Sequence, residues 1–229
     1  MKTLLNVARY HLVDRITYVA LPWGTMAFAF LVNLAIAAQV PSDVDGYYTG
    51  GLLSIYVFLL VCGALSMTRS LPFALMLGLS RRSYYLGTTL LVVALGAVYG
   101  LALAVLQVIE RATGGWGFDM HFFRIPGILD GPWYLTWVMS FVLLVLFFLY
   151  GMWYGLVYRR WSLPGLVAFV AAQILVALAV VVAISMTHSW HAFGQFFSSA
   201  TASSLTGLLA AVTVAMGVGG FTTLRRVTI

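Results

Sequence analysis

Long runs of apolar residues separated by short polar breaks dominate the sequence, and they lack the period-2 alternation of a membrane β-barrel. Six runs are close to the roughly 20 residues that a helix needs to cross a bilayer. Because lipid offers no partners for backbone N–H and C=O groups, each run is predicted to be a transmembrane helix. The pattern predicts an all-α integral membrane protein, a single domain over 1–229, with spans at 16–40, 50–67, 84–108, 133–158, 163–186 and 203–224.

The composition supports a chain whose solvent is mostly lipid. Of its 229 residues, 62% are hydrophobic and 8% are charged, which excludes an ordinary soluble domain. The net charge of +6 does not indicate nucleic acid as a partner, because the arginines stand in ones and twos at the ends of apolar runs. Cys62 lies inside such a run and is interpreted as a small core residue.

The basic residues predict the orientation. With six spans, both termini lie on one side, and a cytoplasmic location puts ten of the 12 basic residues inside. Arg111 and Arg124 are then the two outside, together with every acidic residue except Asp14. The positive-inside rule therefore predicts a multi-pass protein with both ends in the cytoplasm.

Two segments outside the spans have a pattern of their own. Residues 1–15 place apolar side chains on one helix face, which predicts an interfacial helix on the cytoplasmic leaflet. A plain cytoplasmic extension of the first span is the alternative. Residues 187–202 are half apolar and nearly uncharged, which predicts a re-entrant segment on the outer side.

Few residues could perform covalent chemistry. The only lysine is Lys2, so the chain has no P-loop lysine, and nucleotide energy would have to come from another polypeptide. His188 and His191 lack the further ligands of a zinc site. Ser189 beside them is not part of a Gly-x-Ser-x-Gly motif. The sequence therefore predicts neither an enzyme nor a metal site.

The polar residues within the spans are Asn33, Gln107 and Gln173, and they are candidates for a substrate pathway. Interhelical hydrogen bonds are the alternative role, one that such residues commonly have in membranes. The scarcity of acids within the spans argues against ion-coupled transport. Two Gly-x-x-x-Gly patterns, at 96–100 and 151–155, predict faces of close helix packing.

The predicted cytoplasmic loop 68–82 is too apolar for an ordinary connection. In the stretch TRSLPFALMLGLSRRSYYLG, Pro72 suits the first turn of a short helix, Gly78 its end, and Ser80 the N-cap of the next span. Arg81 and Arg82 could be topology anchors alone. That interpretation leaves the apolar helix unexplained, whereas a docking surface for another protein accounts for both features.

This stretch resembles the first cytoplasmic loop of small bacterial ABC transporter permeases of the type-2, exporter-like class. In those proteins a Gly-x-[ST]-Arg-[RK]-x-[YF]-[YF]-x-Gly pattern follows a short helix that docks on a partner ATPase. The layout of six spans with both ends inside is similar as well. The resemblance implies ATPase-coupling residues at Leu71, Pro72, Phe73, Leu75, Met76, Gly78, Ser80, Arg81 and Arg82.

The resemblance also implies a function. The chain would be the transmembrane subunit of an ATP-driven exporter in the bacterial inner membrane, forming the substrate pathway with a second permease copy or paralogue. It would bind no cofactor itself, because ATP and Mg²⁺ would be held by separate ABC ATPase subunits. Its remaining contacts would be with membrane lipid and not with nucleic acid. The alternatives are an ATP-independent carrier or channel, a membrane-embedded enzyme, and an accessory or sensor subunit.

Overall fold

In the computed structural model, long helices form most of the described chain, which comprises residues 14–39, 47–191, 194–195 and 201–226. Two short strands, β1 (Tyr47–Tyr48) and β2 (Met120–His121), pair in parallel. Five helices are long and apolar enough to cross a membrane within these residues, which confirms the predicted helical, membrane-compatible chain. They are α1 (Ile16–Ala37), α2 (Leu53–Met76), α3 (Arg81–Ala112), α4 (Trp133–Met186) and α5 (Ala202–Arg226).

Helix α4 is a hairpin and not a straight rod. Ser162 has φ 56° and ψ −159°, outside the helical region, and separates a first arm (133–161) from a second arm (163–186). Gln173 Oε1 accepts hydrogen bonds from Tyr150 Oη at 2.6 Å and from Tyr154 Oη at 2.8 Å. A straight helix would put residues 150 and 173 about 34 Å apart. The chain therefore turns back at Ser162.

The second arm of α4 covers little of the core. Most of its side chains are exposed, and Leu175 and Val176 are each 64% exposed. A continuous exposed apolar helix of this kind is stable against hydrocarbon or another apolar helix, and not against water. The core itself is formed by α2, α3, the first arm of α4 and α5, with α1 packed on α2.

Glycines let the core helices pack backbone against backbone. A Cβ atom on Gly151 would overlap the carbonyl oxygen of Leu60 in α2, and Gly155 packs against α2 in the same way. Gly96 and Gly100 of α3 face the first arm of α4 with similarly little space. Both predicted Gly-x-x-x-Gly packing faces are thus confirmed.

Two prolines inside helices leave backbone carbonyls without their usual donors. Pro22 and Pro72 have no N–H, so the carbonyls of Tyr18 and Thr68, four residues earlier, lose their α-helical partners. A π-helical turn precedes each proline: Ile16–Ala20 lies before Pro22, and Ser66–Ser70 lies before Pro72. The wider turn accommodates the proline ring without ending the helix.

Donors on neighbouring helices satisfy both carbonyls. Tyr99 Oη in α3 donates to the Tyr18 carbonyl at 2.7 Å, and Arg159 Nη1 in α4 donates to the Thr68 carbonyl at 3.5 Å. A buried carbonyl without a partner costs about 1–3 kcal/mol, which the bond from Tyr99 avoids at buried Tyr18. The two bonds also join α1 to α3 and α2 to α4.

The structure corrects one predicted boundary, the end of the second span. The second span continues past residue 67 to Met76. The predicted short helix, Leu71–Met76 with Pro72 in its first turn, follows the π-turn 66–70 without a break and so forms the last part of α2. The reason is that the π-turn absorbs Pro72 within a continuous helix. The predicted fourth and fifth spans are the two arms of α4. Parts of two predicted segments lie outside the described residues: 1–13 of the interfacial helix, and 192–193 and 196–200 of the re-entrant segment.

Replacing Tyr99 by Phe removes the donor to the Tyr18 carbonyl and keeps the ring. We expect Tyr99→Phe to lower the free energy of unfolding by about 1–2 kcal/mol, measured from the thermal midpoint in detergent. Pro22→Ala supplies an N–H for the same carbonyl, so Tyr99→Phe should cost less in that background. An equal loss of unfolding free energy in both backgrounds would contradict the role of Tyr99 as donor to the Tyr18 carbonyl. Tyr134→Phe, at a side chain 52% exposed, is the matched control.

Candidate functional site

An apolar surface is exposed where α2 ends. Met76 and Leu77 are 78% and 64% exposed, and Phe73 is 45% exposed. Leu71 and Ala74, in the same turns, are buried against the bundle. The end of α2 therefore has one face that holds it in place and another that is available to a partner.

Local sequence rules fix the turn into α3. Gly78 adopts φ 81°, the left-handed conformation that favours glycine at a helix C-terminus. Ser80 Oγ accepts a hydrogen bond from the backbone N–H of Ser83 at 3.1 Å and so caps α3. The predictions that Gly78 ends one helix and Ser80 caps the next are both confirmed.

Arginines flank this apolar surface. Arg82 is exposed and Arg81 is half-buried in the first turn of α3, while Arg69 is exposed on α2. The sequence places no acidic residue between 68 and 82. An apolar surface beside arginines suits a protein partner with an apolar pocket and an acidic rim. The coupling role of these residues, with half-buried Pro72 and Leu75, stays a prediction.

At the opposite end of α3, a buried carboxylate organises the connection to α4. Glu110 is 1% exposed, and its Oε2 accepts hydrogen bonds from the backbone N–H groups of Phe122 and Phe123, each at 2.9 Å. Trp116 Nε1 donates to the same oxygen at 3.1 Å, and the Arg124 N–H donates to Oε1 at 3.2 Å. Four donors compensate the buried carboxylate and fold residues 116–124 around it.

Two arginines hold the second half of this connection. Asp130 Oδ1 accepts hydrogen bonds from Arg124 Nε at 2.8 Å and from Arg111 Nη2 at 3.0 Å. Burial opposes ionisation of Asp130, but the hydrogen bonds and charges of Arg124 and Arg111 outweigh it and hold its pKa below the usual value. Gln107 Nε2 adds a bond to the Leu129 carbonyl at 2.8 Å. The connection is thus tied to α3 along its length.

Residues 125–129 of this connection roof an apolar cavity of about 690 Å³ between α2, α4 and α5. Among its described lining residues, the Tyr56 hydroxyl is the only polar side-chain group. Such a cavity can hold an apolar group, but it cannot compensate the desolvation of a charged solute. Its walls include Leu53, Tyr56, Met139, Leu143, Phe147 and Leu209.

The three polar residues predicted for a substrate pathway bond to different partners. Asn33 Nδ2 donates to the Ala29 carbonyl of its own helix at 2.8 Å. Gln107 holds the outer connection, and Gln173 joins the two arms of α4. For Gln173 the alternative prediction, an interhelical hydrogen bond, is confirmed. A transport role for the three stays a prediction.

No protein-family model, curated protein or solved structure matches this chain. A functional assignment therefore has to come from its residues and their geometry. Two features bear on it most directly. One is the apolar and basic end formed by α2 and α3, and the other is the charge-paired connection at the opposite end.

Removing the Glu110 carboxylate tests its role in the outer connection. Glu110→Ala leaves four donors without an acceptor, and each would cost about 1–3 kcal/mol if it stayed buried. We expect faster amide hydrogen exchange in peptides that contain residues 122–124, measured by mass spectrometry. Glu110→Gln keeps one carbonyl oxygen and should have an intermediate effect. Unchanged exchange in Glu110→Ala would contradict the assignment.

The lowered pKa of Asp130 predicts a dependence of stability on pH. Its folded-state pKa lies below the unfolded value of about 3.9, so its ion pairs stabilise the folded chain above that pH. The stabilisation is lost as the pH falls through the folded-state pKa. We expect the thermal midpoint to fall less on acidification in Asp130→Asn and in Arg124→Gln than in the wild type. Equal falls in all three proteins would refute this.

Proposed function

We propose that this chain is the transmembrane subunit of an ATP-driven exporter in the bacterial plasma membrane. Separate ABC ATPase subunits would dock on the 68–82 loop, and a second permease copy or paralogue would complete the substrate pathway. The observation that carries the proposal is the end of α2 and α3, where exposed apolar side chains stand beside arginines. The same stretch resembles the ATPase-docking loop of type-2 ABC permeases. ATP and Mg²⁺ would be bound by the ATPase and not by this chain.

The charge distribution supports six spans with cytoplasmic termini. Counting the two arms of α4 separately gives six apolar helices whose ends alternate between the two sides. The bond from Arg159 to the Thr68 carbonyl puts the Ser162 turn at the same end as the 68–82 loop. Arg111 and Arg124 lie at the other end. The end with the loop carries the larger number of arginines and so would face the cytoplasm: Arg69, Arg81, Arg82, Arg159 and Arg160.

A docked ATPase could move the bundle through α2. Tyr84 Oη in α3 donates to the Ser66 carbonyl at 2.7 Å, and Arg159 in α4 donates to the Thr68 carbonyl. Both carbonyls lie in the π-turn just before the docking surface. A displacement of the loop would therefore reach α3 and the first arm of α4 through direct hydrogen bonds. The exposed middle of the second arm of α4, at Ile174, Leu175 and Leu178, offers an apolar face to a second permease.

A charge placed in the docking surface tests the proposal. Met76→Asp should lower the amount of co-purifying ATPase by about tenfold or more, because a charge buried at an apolar interface is costly. The matched control is Met186→Asp. Met186 is 77% exposed against 78% for Met76, but it ends the second arm at the opposite side. The measurement is affinity purification from the native membrane in mild detergent, with mass spectrometry of the co-purifying chains.

Charge reversal of the basic flank completes this test. Replacing Arg81 and Arg82 by Glu should weaken ATPase binding and abolish transport, while eight other cytoplasmic basic residues preserve insertion. Arg160→Glu, at the same end but outside the loop, should bind normally. If the wild type purified without any ATPase in several detergents, the proposal would be wrong. An ATP-independent carrier would then be tested by substrate flux in proteoliposomes under an ion gradient.

A further inference from the structure

A second cavity, of about 530 Å³, lies between α2 and the two arms of α4. Its α2 wall changes character along the helix, from apolar Leu60 and Leu65 to Thr68 and Arg69. On α4 its wall includes Tyr154 and Tyr158, and Tyr158 is the nearer to the Ser162 turn. The polar end of the cavity is therefore at the same end of the molecule as the 68–82 loop.

The arginine at this polar end has no acidic partner among the described residues. Within the described residues Arg69 is exposed and makes no hydrogen bond or ion pair. Glu110, Asp119 and Asp130 belong to the opposite end, and Asp14, just before α1, does not line the cavity. Tyr158, on a side chain 44% exposed, lines the same cavity as Arg69, and its hydroxyl can donate a hydrogen bond to a ligand there.

We propose that this cavity binds one anionic phospholipid, with its phosphate at Arg69 and Tyr158 and an acyl chain along the apolar α2 wall. From Leu60 to Arg69 the helix rises about 13 Å, close to half of the roughly 30 Å hydrocarbon thickness. A basic pocket between membrane helices on the cytoplasmic side is a known way to bind anionic headgroups. The apolar wall favours a lipid over a free anion, since a free anion would leave that wall empty.

The assignment to the cytoplasmic leaflet rests on the orientation in the proposed function, and the binding itself does not need the ATPase. The purified full chain is titrated with phosphatidylglycerol or phosphatidylcholine of identical acyl chains, and the bound lipid is counted by native mass spectrometry. We expect phosphatidylglycerol to bind at least about fivefold more tightly than phosphatidylcholine.

Variants at Arg69 test whether this arginine binds the lipid phosphate. Arg69→Gln should weaken phosphatidylglycerol binding about fivefold and leave phosphatidylcholine unchanged, whereas Arg69→Lys should keep most of the preference. Arg82→Gln removes an exposed arginine at the same end, outside the cavity, and should bind like the wild type. Thermal midpoints show whether each variant is folded. If Arg69→Gln does not fold, the comparison of Arg69→Lys with the wild type still tests the site.

Three results would overturn the proposal. Equal affinity for the two lipids would show that the headgroup is not recognised. Equal effects of Arg69→Gln and Arg82→Gln would show general charge attraction and no site. Displacement of phosphatidylglycerol by millimolar inorganic phosphate would show that the cavity takes a soluble anion. Because the ATPase is absent from the experiment, failure of the exporter proposal would leave each of these results unchanged.

Discussion

Backbone polar groups surrounded by apolar side chains must find partners within the protein, and the packing of this chain depends on that constraint. Pro22 and Pro72 each withdraw an N–H from a helix, and donors on other helices, Tyr99 and Arg159, bond to the carbonyls left behind. These bonds connect α1 to α3 and α2 to α4, and the glycines of α4 supply the close backbone packing against α2. A proline in one helix thus leaves a carbonyl that accepts a hydrogen bond from another helix.

The connection from α3 to α4 meets the same constraint with the opposite polarity. There the backbone N–H groups of Phe122 and Phe123 need an acceptor, and the Glu110 carboxylate accepts a hydrogen bond from each. Asp130 with its two arginines secures the rest of the connection. One end of the bundle is thereby closed by charge pairs internal to the chain. At the other end, around the 68–82 loop, the exposed arginines Arg69 and Arg82 stand beside exposed apolar side chains.

Local rules explain which features could be predicted from the sequence. The apolar runs locate the helices, and Gly78 and Ser80 fix the turn between α2 and α3 because their effects involve only adjacent residues. The end of the second span was misplaced because a π-turn joins it to the short helix that has Pro72 in its first turn, and nothing in the sequence marks that junction. The fold-back of α4 at Ser162 agrees with two predicted apolar runs in place of one long one.

Features that depend on distant partners could not be predicted. The donors to Glu110 lie between six and 14 residues further along the chain, so its role follows from the folded loop. The available signal was a single acid at the end of an apolar run, followed by a loop rich in glycine and aromatic residues. Polarity within an apolar run was the only signal for Asn33, Gln107 and Gln173. Polarity does not specify the hydrogen-bond partners of a side chain. Their separate partners are visible only in three dimensions.

The most direct test of the exporter assignment is a photo-crosslink from the exposed end of α2 in the native membrane. A photoreactive amino acid at position 76, activated in intact cells, would be followed by mass spectrometry of the linked chain. We predict a cross-link to a P-loop ATPase that is absent when the same group replaces Met186, which is equally exposed at the opposite end. Adducts to lipid alone, or the same partners from both positions, would contradict the assignment.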